Sequence, residues 1–343
     1  MARPRRRAQP WWTRLPPDEL LDVRLCDLEL TLEGTALGRR VERLYAELER
    51  AELRFRPYVW LSTDWFTPEG STGFAIPFYL AHPRLLRLEH AQMLEAEGST
   101  AEGCMKILRH ETGHALDNGY RLHRRRDWRE IFGRYSDRYS SDYTPRIHSK
   151  DFVQNLDYWY AQSHPAEDYA ESFAVWLRPR PPWRRAYAGW PALQKLERLD
   201  AILQEIRGRR PEVTTRDRPD SLPRVRTTLR EHYRRKKAFY GPPQPWMHDR
   251  ELLWLFSKPI AQQRERAASC LREFRAELRA RVSTLTGYHR YVVDQALTTM
   301  IGRCRELDLR VVRSRAQTRM GAAVLLTIVT LSFARGRRPR YRR

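Results

Sequence analysis

Apolar residues recur at helical and strand spacing through the first part of the chain. Positions three or four apart are apolar over residues 37–53, which predicts an amphipathic helix there. Two short runs rich in β-branched and aromatic residues predict strands over residues 54–61 and 73–80. Pro77 has no backbone N–H to donate, so we expect the second strand to lie at the edge of a sheet.

The next periodic stretches carry most of the polar clusters. A capping box at residues 99–102 predicts the start of a helix, and Gly119 is expected to end it. Pro165–Leu177 has the pattern of a second helix with proline in its first turn, and residues 191–207 have the pattern of a third. Residues 120–158 are basic and aromatic without clear periodicity, which predicts loops and a hairpin.

The last part of the chain is predicted to be mostly helical. Residues 208–223 have the composition of a linker, and helices are predicted beyond it over residues 261–282 and 291–309. Residues 320–334 are uncharged, but this stretch is shorter than the ~20 residues that a membrane-spanning helix needs. We therefore expect a buried helix or strand there, and we do not expect membrane attachment through residues 320–343.

These elements predict an α+β chain with a first domain over residues 1–205 and a basic, mostly helical region over residues 206–343. The chain has 343 residues and a formal net charge of +22. Residues 1–205 hold 31 Lys and Arg against 30 Asp and Glu, whereas residues 206–343, which end in an Arg-rich tail, hold 33 against 12. This excess fits contact of residues 206–343 with a polyanion such as nucleic acid, the ribosome or an anionic membrane surface. It also fits a solvated surface in an organism that favours Arg, because only six of the 64 cations are Lys.

The cysteines and the N-terminus bear on the cellular compartment. Cys26, Cys104, Cys270 and Cys304 are widely spaced with no C-x-x-C pair, so we expect neither a disulfide framework nor a thiolate zinc knuckle. The basic residues at the start are not followed by the apolar run of a secretory signal. These features predict a cytoplasmic protein.

One motif has a clear chemical interpretation, namely His110-Glu111-Thr112-Gly113-His114. Residues four apart lie on the same face of a helix, so both imidazoles can bind one metal ion. Glu111 lies beside them, where its carboxylate can accept a proton from a metal-activated water. Gly113 on the same turn allows a neighbouring backbone to come close. A catalytic zinc site still needs a third protein ligand.

The helix after Pro165 supplies the candidates for that ligand. Glu167 and Glu171 share a stripe with two alanines, and a carboxylate buried there has to be paired or bind a metal. Glu167 is the first choice, with Glu171 as the alternative ligand or as the acceptor of the free N–H of a ligating histidine. Asp168 lies off the stripe and ranks below both. Asp117 is a second candidate for the acceptor role.

The combined pattern resembles the gluzincin branch of zinc metallopeptidases. His110 and His114, followed some fifty residues later by Glu167 and Glu171, are similar to the arrangement in anthrax-lethal-factor-type peptidases. The resemblance implies that Glu167 is the zinc ligand and that Glu171 supports the site. A tyrosine seven residues before the ligand glutamate donates to the oxyanion in that family, and Tyr160 has this offset.

The resemblance covers roughly residues 55–200, which are also similar to bacterial proteins described as zinc-binding metallopeptidases. It implies a zincin-like fold, one Zn²⁺ per chain and hydrolysis of a peptide or protein substrate, with Glu111 as general base. Zincins hold an extended substrate along an exposed edge strand, and residues 73–80 would be that strand. Two imidazoles and a carboxylate suit zinc but also fit manganese, cobalt or iron.

A second interpretation starts from the charge instead of the motif. The chain would then be a non-enzymatic protein that associates with nucleic acid or the ribosome through residues 206–343. The histidine motif would in that case be a degenerate or structural metal site. Steep weakening of binding with salt would distinguish this function from peptide hydrolysis.

Overall fold

The polypeptide forms two compact units. The computed structural model describes residues 9–139, 146, 148–157, 159–180, 182–240, 249–259 and 265–334. Within these, unit 1 consists of residues 9–89 and 96–232, and unit 2 of residues 90–95 and 233–334. Along the chain, the change from unit 1 to unit 2 after residue 232 lies beyond the domain boundary predicted after residue 205. The Arg-rich tail, residues 335–343, lies outside the described residues.

Helices make up most of both units. Two of them, α3 (Pro83–Met93) and α9 (Leu229–Tyr240), pass from one unit into the other. The other helices of unit 1 are α1 (Pro17–Leu21), α2 (Ala36–Arg50), α4 (Ala101–Tyr120), α5 (Arg126–Phe132), α6 (Pro165–Leu177), α7 (Trp183–Ala186) and α8 (Ala192–Glu205). Those of unit 2 are α10 (Asp249–Leu255), α11 (Ala267–Glu273), α12 (Arg275–Thr286), α13 (Arg290–Glu306) and α14 (Arg315–Ala334). With two small sheets, this content is compatible with the predicted α+β class.

Local sequence signals place several helix ends correctly. Helix α4 begins where the capping box at residues 99–102 predicts, but the cap is Thr100 and not the first residue of the box: its side chain accepts a hydrogen bond from the N–H of Gly103. The bounds of α6 agree with the prediction. Gly119 does not end α4, because the helix continues to Tyr120 and ends at Arg121, whose φ of 52° is left-handed. A Cβ atom at Gly119 would lie 3.0 Å from the Phe55 ring, so this glycine permits close packing instead.

The sheet of unit 1 differs from the expected arrangement. Strands β1 (Tyr58–Ser62) and β2 (Gly73–Pro77) pair in parallel, and all five residues of β2 are buried. On the other side of β2, the N–H of Ala75 donates to the carbonyl of Phe66 at 2.8 Å. The expectation of an exposed substrate-binding edge over residues 73–80 is therefore wrong. The loop after β1 folds back and covers that side.

An extended segment, residues 211–220, lies along unit 1 although its composition predicted a linker. Alternate side chains of β1 donate to its backbone carbonyls. Tyr58 donates to the carbonyl of Asp217 at 2.7 Å, and Ser62 to that of Asp220 at 2.8 Å. At its start, the N–H groups of residues 212 and 213 donate to the carbonyl of Gly119. These hydrogen bonds make the segment part of unit 1, which extends along the chain to residue 232.

Helices α4 and α6 pack closely together. A Cβ atom at Gly113 would lie 3.0 Å from the Cα atom of Ala170 and 3.3 Å from the side chain of Phe173. The missing side chain lets the two helix backbones approach, as the sequence predicts. The described part of residues 120–158 contains α5 and not the expected hairpin. Trp128 of α5 is fully buried and its ring lies 5.8 Å from that of Tyr169 in α6.

Unit 2 has its own apolar core, formed by helices α10 to α14. A two-residue sheet joins β3 (Phe256–Ser257) to β4 (Arg310–Val311) in antiparallel pairing. Of the helix predicted over residues 261–282, the first four residues lie outside the described part of the chain and the rest is divided between α11 and α12, whereas α13 agrees closely with its prediction. Among the described helices, none combines the length and the apolar content needed to cross a bilayer.

Candidate metal centre

Three potential ligands converge where α4 packs against α6. The Nε2 atoms of His110 and His114 lie 3.2 Å apart, and Oε2 of Glu167 lies 3.1 Å from the first and 3.2 Å from the second. His110 and Glu167 are buried, and the side chain of His114 is 18% exposed. Two imidazole nitrogens and one carboxylate oxygen directed at a common point form a group that could hold a metal ion.

Glu171 orients the first imidazole. Its Oε1 atom lies 2.8 Å from Nδ1 of His110, so the Nδ1–H donates to the carboxylate and Nε2 faces the other two ligand candidates. Glu171 also accepts from the side chain of Asn155 at 2.9 Å and from the backbone N–H of Leu156 at 2.8 Å. With both oxygens engaged in this way, Glu171 is placed as a support and Glu167 as the converging carboxylate.

The contacts of His110 and Glu167 shift both groups toward their charged forms. Burial would lower the pKa of His110, but its hydrogen bonds with Glu167 and Glu171 hold that pKa well above the usual value. Burial would likewise raise the pKa of Glu167. The charge of His114 and the hydrogen bonds from both histidines outweigh burial and hold the pKa well below the usual value. The carboxylate is therefore ionised, as a metal ligand has to be.

Tyr139 fixes the second oxygen of Glu167. Its hydroxyl donates to Oε1 at 3.0 Å, which leaves Oε2 directed at the two histidines. The Tyr139 ring stacks on that of His164, with centroids 3.6 Å apart. His164 in turn caps α6, since its Nδ1 accepts from the N–H of Ala166 at 3.1 Å. The residue that starts the helix thus also positions a partner of the candidate ligand.

Glu111 lies beside the three ligand candidates, on the wall of a cleft that opens onto them. Its Oε2 accepts a hydrogen bond of 2.8 Å from the hydroxyl of Thr67. Burial raises the pKa of the Glu111 carboxyl, against the opposing charges of His110 and His114. A carboxylate whose pKa is raised toward neutrality is a better proton acceptor and donor in catalysis.

Asp117 does not have the predicted supporting role. Its carboxylate accepts from the backbone N–H of His123 at 2.7 Å and lies 2.8 Å from Nδ1 of the same residue. The chain turns sharply at Arg121 and carries His123 back to it, so Asp117 closes the turn after α4. Asp168 likewise faces away from the histidines and pairs with Lys195. Burial raises the pKa of Asp168 to about 6.

Tyr160 lies at the edge of the cluster, as its offset from Glu167 suggested. It is 7% exposed, and its ring centroid is 5.7 Å from that of His110. Tyr160 contributes to a cleft of about 460 Å³ that opens onto the candidate ligands. Other residues of this cleft are Trp65, Phe66, Thr67, Glu69, Asn118, Tyr135 and Tyr139.

Sequence patterns did not indicate Thr67, Tyr139 or Asn155. Each contacts a glutamate of the site from outside the two motif-bearing helices. Thr67 follows β1, and the other two lie in the stretch whose poor periodicity predicted only loops. Hydroxyl and amide side chains are common in loops, so nothing in the local sequence distinguishes these three.

Replacing Tyr139 with Phe is expected to weaken the binding of a metal ion at this site by ~10-fold, measured with added zinc, because Glu167 loses the hydrogen bond that directs its Oε2 inward. Competition with a chelating dye measures this affinity. Tyr135→Phe is the matched control, since Tyr135 lines the same cleft and stacks on His123. Equal losses in the two variants would contradict a specific role for the Tyr139 hydroxyl.

Comparisons with known proteins give no family for this chain. No family model, curated protein or solved structure matches it. A function can therefore be argued only from the residues of the site and their geometry.

Proposed function

We propose that this chain is a zinc-dependent metallopeptidase with a zincin-like catalytic domain in unit 1. The observation that carries the proposal is the convergence of His110, His114 and Glu167, with all ligand atoms within 4.8 Å of one another. Glu111 beside this cluster adds a proton acceptor, which a purely structural metal site does not need. The four cysteines are free thiols, which is compatible with the proposed cytoplasmic location.

The residues present fit a zinc ion. The Nε2 atoms of the two histidines lie 3.2 Å apart, and two neutral imidazoles would repel at this distance unless a cation lay between their lone pairs. The donor set of two nitrogens and one carboxylate oxygen is typical of catalytic zinc, which keeps a further position open. When bound, zinc would act as a Lewis acid that polarises a substrate carbonyl and lowers the pKa of water.

The chain's own residues would supply the proton transfers. Glu111 would accept a proton from the attacking water and deliver it to the leaving amine, with Thr67 holding Oε2 in place throughout. Tyr160 would donate a hydrogen bond to the developing oxyanion from the edge of the cleft. Glu171 would keep the His110 lone pair directed inward. The peptide or protein substrate would enter through the cleft, because the buried β2 offers no exposed edge.

The proposal is tested by incubating the purified full chain with an unfolded protein such as casein in heavy-oxygen water. Hydrolysis is expected to leave one heavy oxygen atom in each new carboxylate, detected by mass spectrometry. Treatment with a chelator should remove this activity and zinc should restore it. If the zinc-loaded chain cleaves neither casein nor a complex peptide mixture, the proposed function is wrong.

A further inference from the structure

Helix α14 presents an apolar stripe to solvent. Met320 is 72% exposed, Val324 54%, Ile328 51% and Leu331 45%. Steps of three or four residues separate them, so they share one face of the helix. The stripe extends over three helical turns, about 16 Å at 1.5 Å per residue. We call it the α14 stripe.

The opposite face of α14 anchors the helix in unit 2. Ala322, Leu325, Leu326 and Val329 belong to the apolar core of that unit. Leu255 of α10 packs against the helix at Gly321, where a Cβ atom would lie 2.5 Å from its Cδ1. The α14 stripe is thus held on a fixed scaffold. A contiguous apolar face of this size that is exposed to solvent is typical of an interaction surface.

Exposed apolar side chains are concentrated in unit 2. Of the ten large ones exposed among the described residues, only Trp11 belongs to unit 1. On α10, which packs against α14, Trp254 is 83% exposed and Leu253 is 43% exposed. Tryptophan is favoured where an apolar surface meets the polar boundary of a membrane.

The charge next to the α14 stripe identifies the chemistry of the partner. No acidic residue follows Asp308 in the sequence, whereas six of residues 335–343 are Arg. Many arginines of the described part of unit 2 are already paired within it, for example Arg275 with Asp294 and, in α14 itself, Arg319 with Glu277. An apolar stripe followed in sequence by six arginines and no acidic residue matches a surface with acyl chains below anionic headgroups.

We propose that the α14 stripe docks unit 2 on an anionic lipid surface, as a peripheral attachment that does not span the bilayer. Nucleic acid would engage the arginines but would leave the apolar stripe exposed. A second copy of this chain would bring two strongly basic regions together, which disfavours self-association. The buried-helix expectation for residues 320–334 is correct for one face of α14 only, and this proposal departs from the expectation of no membrane attachment through residues 320–343.

Vesicle flotation of the full chain tests this proposal. We expect the chain to float with phosphatidylcholine vesicles that contain phosphatidylserine and to bind far less to phosphatidylcholine alone. Val324→Glu is expected to lower partitioning by ~10-fold, because a charge replaces an apolar side chain in the acyl region. Leu285→Glu is the matched control, with the same change of charge at a residue of α12 that is 79% exposed and off the stripe.

Further variants keep the test decisive if Val324→Glu misfolds. Met320→Ser removes apolar surface without adding charge, and circular dichroism checks that its helices are retained. Replacing the six arginines of residues 335–343 with Gln should abolish the preference for anionic vesicles. Absence of flotation, equal binding to neutral vesicles, or equal losses at Leu285 and Val324 would overturn the proposal. So would a dimer in light scattering that Val324→Glu dissociates, since the stripe would then bind a second copy.

Discussion

Glu111→Gln is expected to lower the rate of peptide hydrolysis by ~10³-fold while one zinc per chain is retained. Gln has the shape of Glu and can still accept the hydrogen bond from Thr67, so the cleft should keep its form. It cannot accept the proton that hydrolysis releases. The rate of casein cleavage and the zinc content of the same preparation are the two measurements.

Glu102→Gln is the matched control for this prediction. Glu102 lies in the first turn of the same helix, about two turns before the histidine motif, and its side chain is 70% exposed. Its substitution should leave the rate unchanged. Cleavage by Glu111→Gln at the wild-type rate would rule out Glu111 as the proton acceptor, whereas loss of zinc would show that its role is structural.

Glu167→Ala is expected to abolish stoichiometric zinc binding, because two imidazoles remain without the carboxylate that converges on them. Elemental mass spectrometry of dialysed protein measures the metal content, which should fall from near one zinc per chain to near zero. Activity should disappear together with the metal. Zinc retained at full stoichiometry would show that the third ligand lies elsewhere.

Substitutions of two neighbouring carboxylates serve as controls. They distinguish a residue that binds the metal from one that holds a metal-binding residue in place. Glu171→Gln should retain zinc at saturation but bind it about 10- to 100-fold more weakly, because it holds His110 and does not reach the common point. Asp168→Asn should bind zinc normally, since Asp168 pairs with Lys195. If Glu171→Gln loses the metal completely and Glu167→Ala does not, the two assignments are reversed.

The histidine motif and its carboxylate partners could be predicted from sequence because the relevant signals are local. Capping at Thr100 and proline at the start of α6 fix where these two helices begin. Once a helix is fixed, its periodicity determines which residues share a face. The juxtaposition of His110 with Glu167 and Glu171 followed from such periodicity together with the resemblance to gluzincins, and not from any signal across the intervening fifty residues.

The remaining features depend on contacts between distant parts of the chain. The parallel pairing of β1 with β2 and the cover that Phe66 provides cannot be inferred from alternation within either strand. Tyr139 reaches Glu167 from a stretch without periodicity. Asp117 had a suitable offset on α4, but the turn at Arg121 supplied a nearer partner. In each case contacts between distant residues determine the arrangement, and the local sequence does not distinguish it from the alternatives.

The extended segment, residues 211–220, is recognised through its main chain. Trp60 donates to the carbonyl of Pro219 at 3.0 Å, and Thr72 donates to that of Thr215 at 2.9 Å. Because both acceptors are backbone atoms, these hydrogen bonds do not depend on which side chains the segment carries. Substitutions within residues 211–220 leave these hydrogen bonds possible. Inserting or deleting one residue, in contrast, shifts the carbonyls of the segment out of register with their donors in β1. Over evolution the amino acids of this segment can therefore vary, whereas its length cannot.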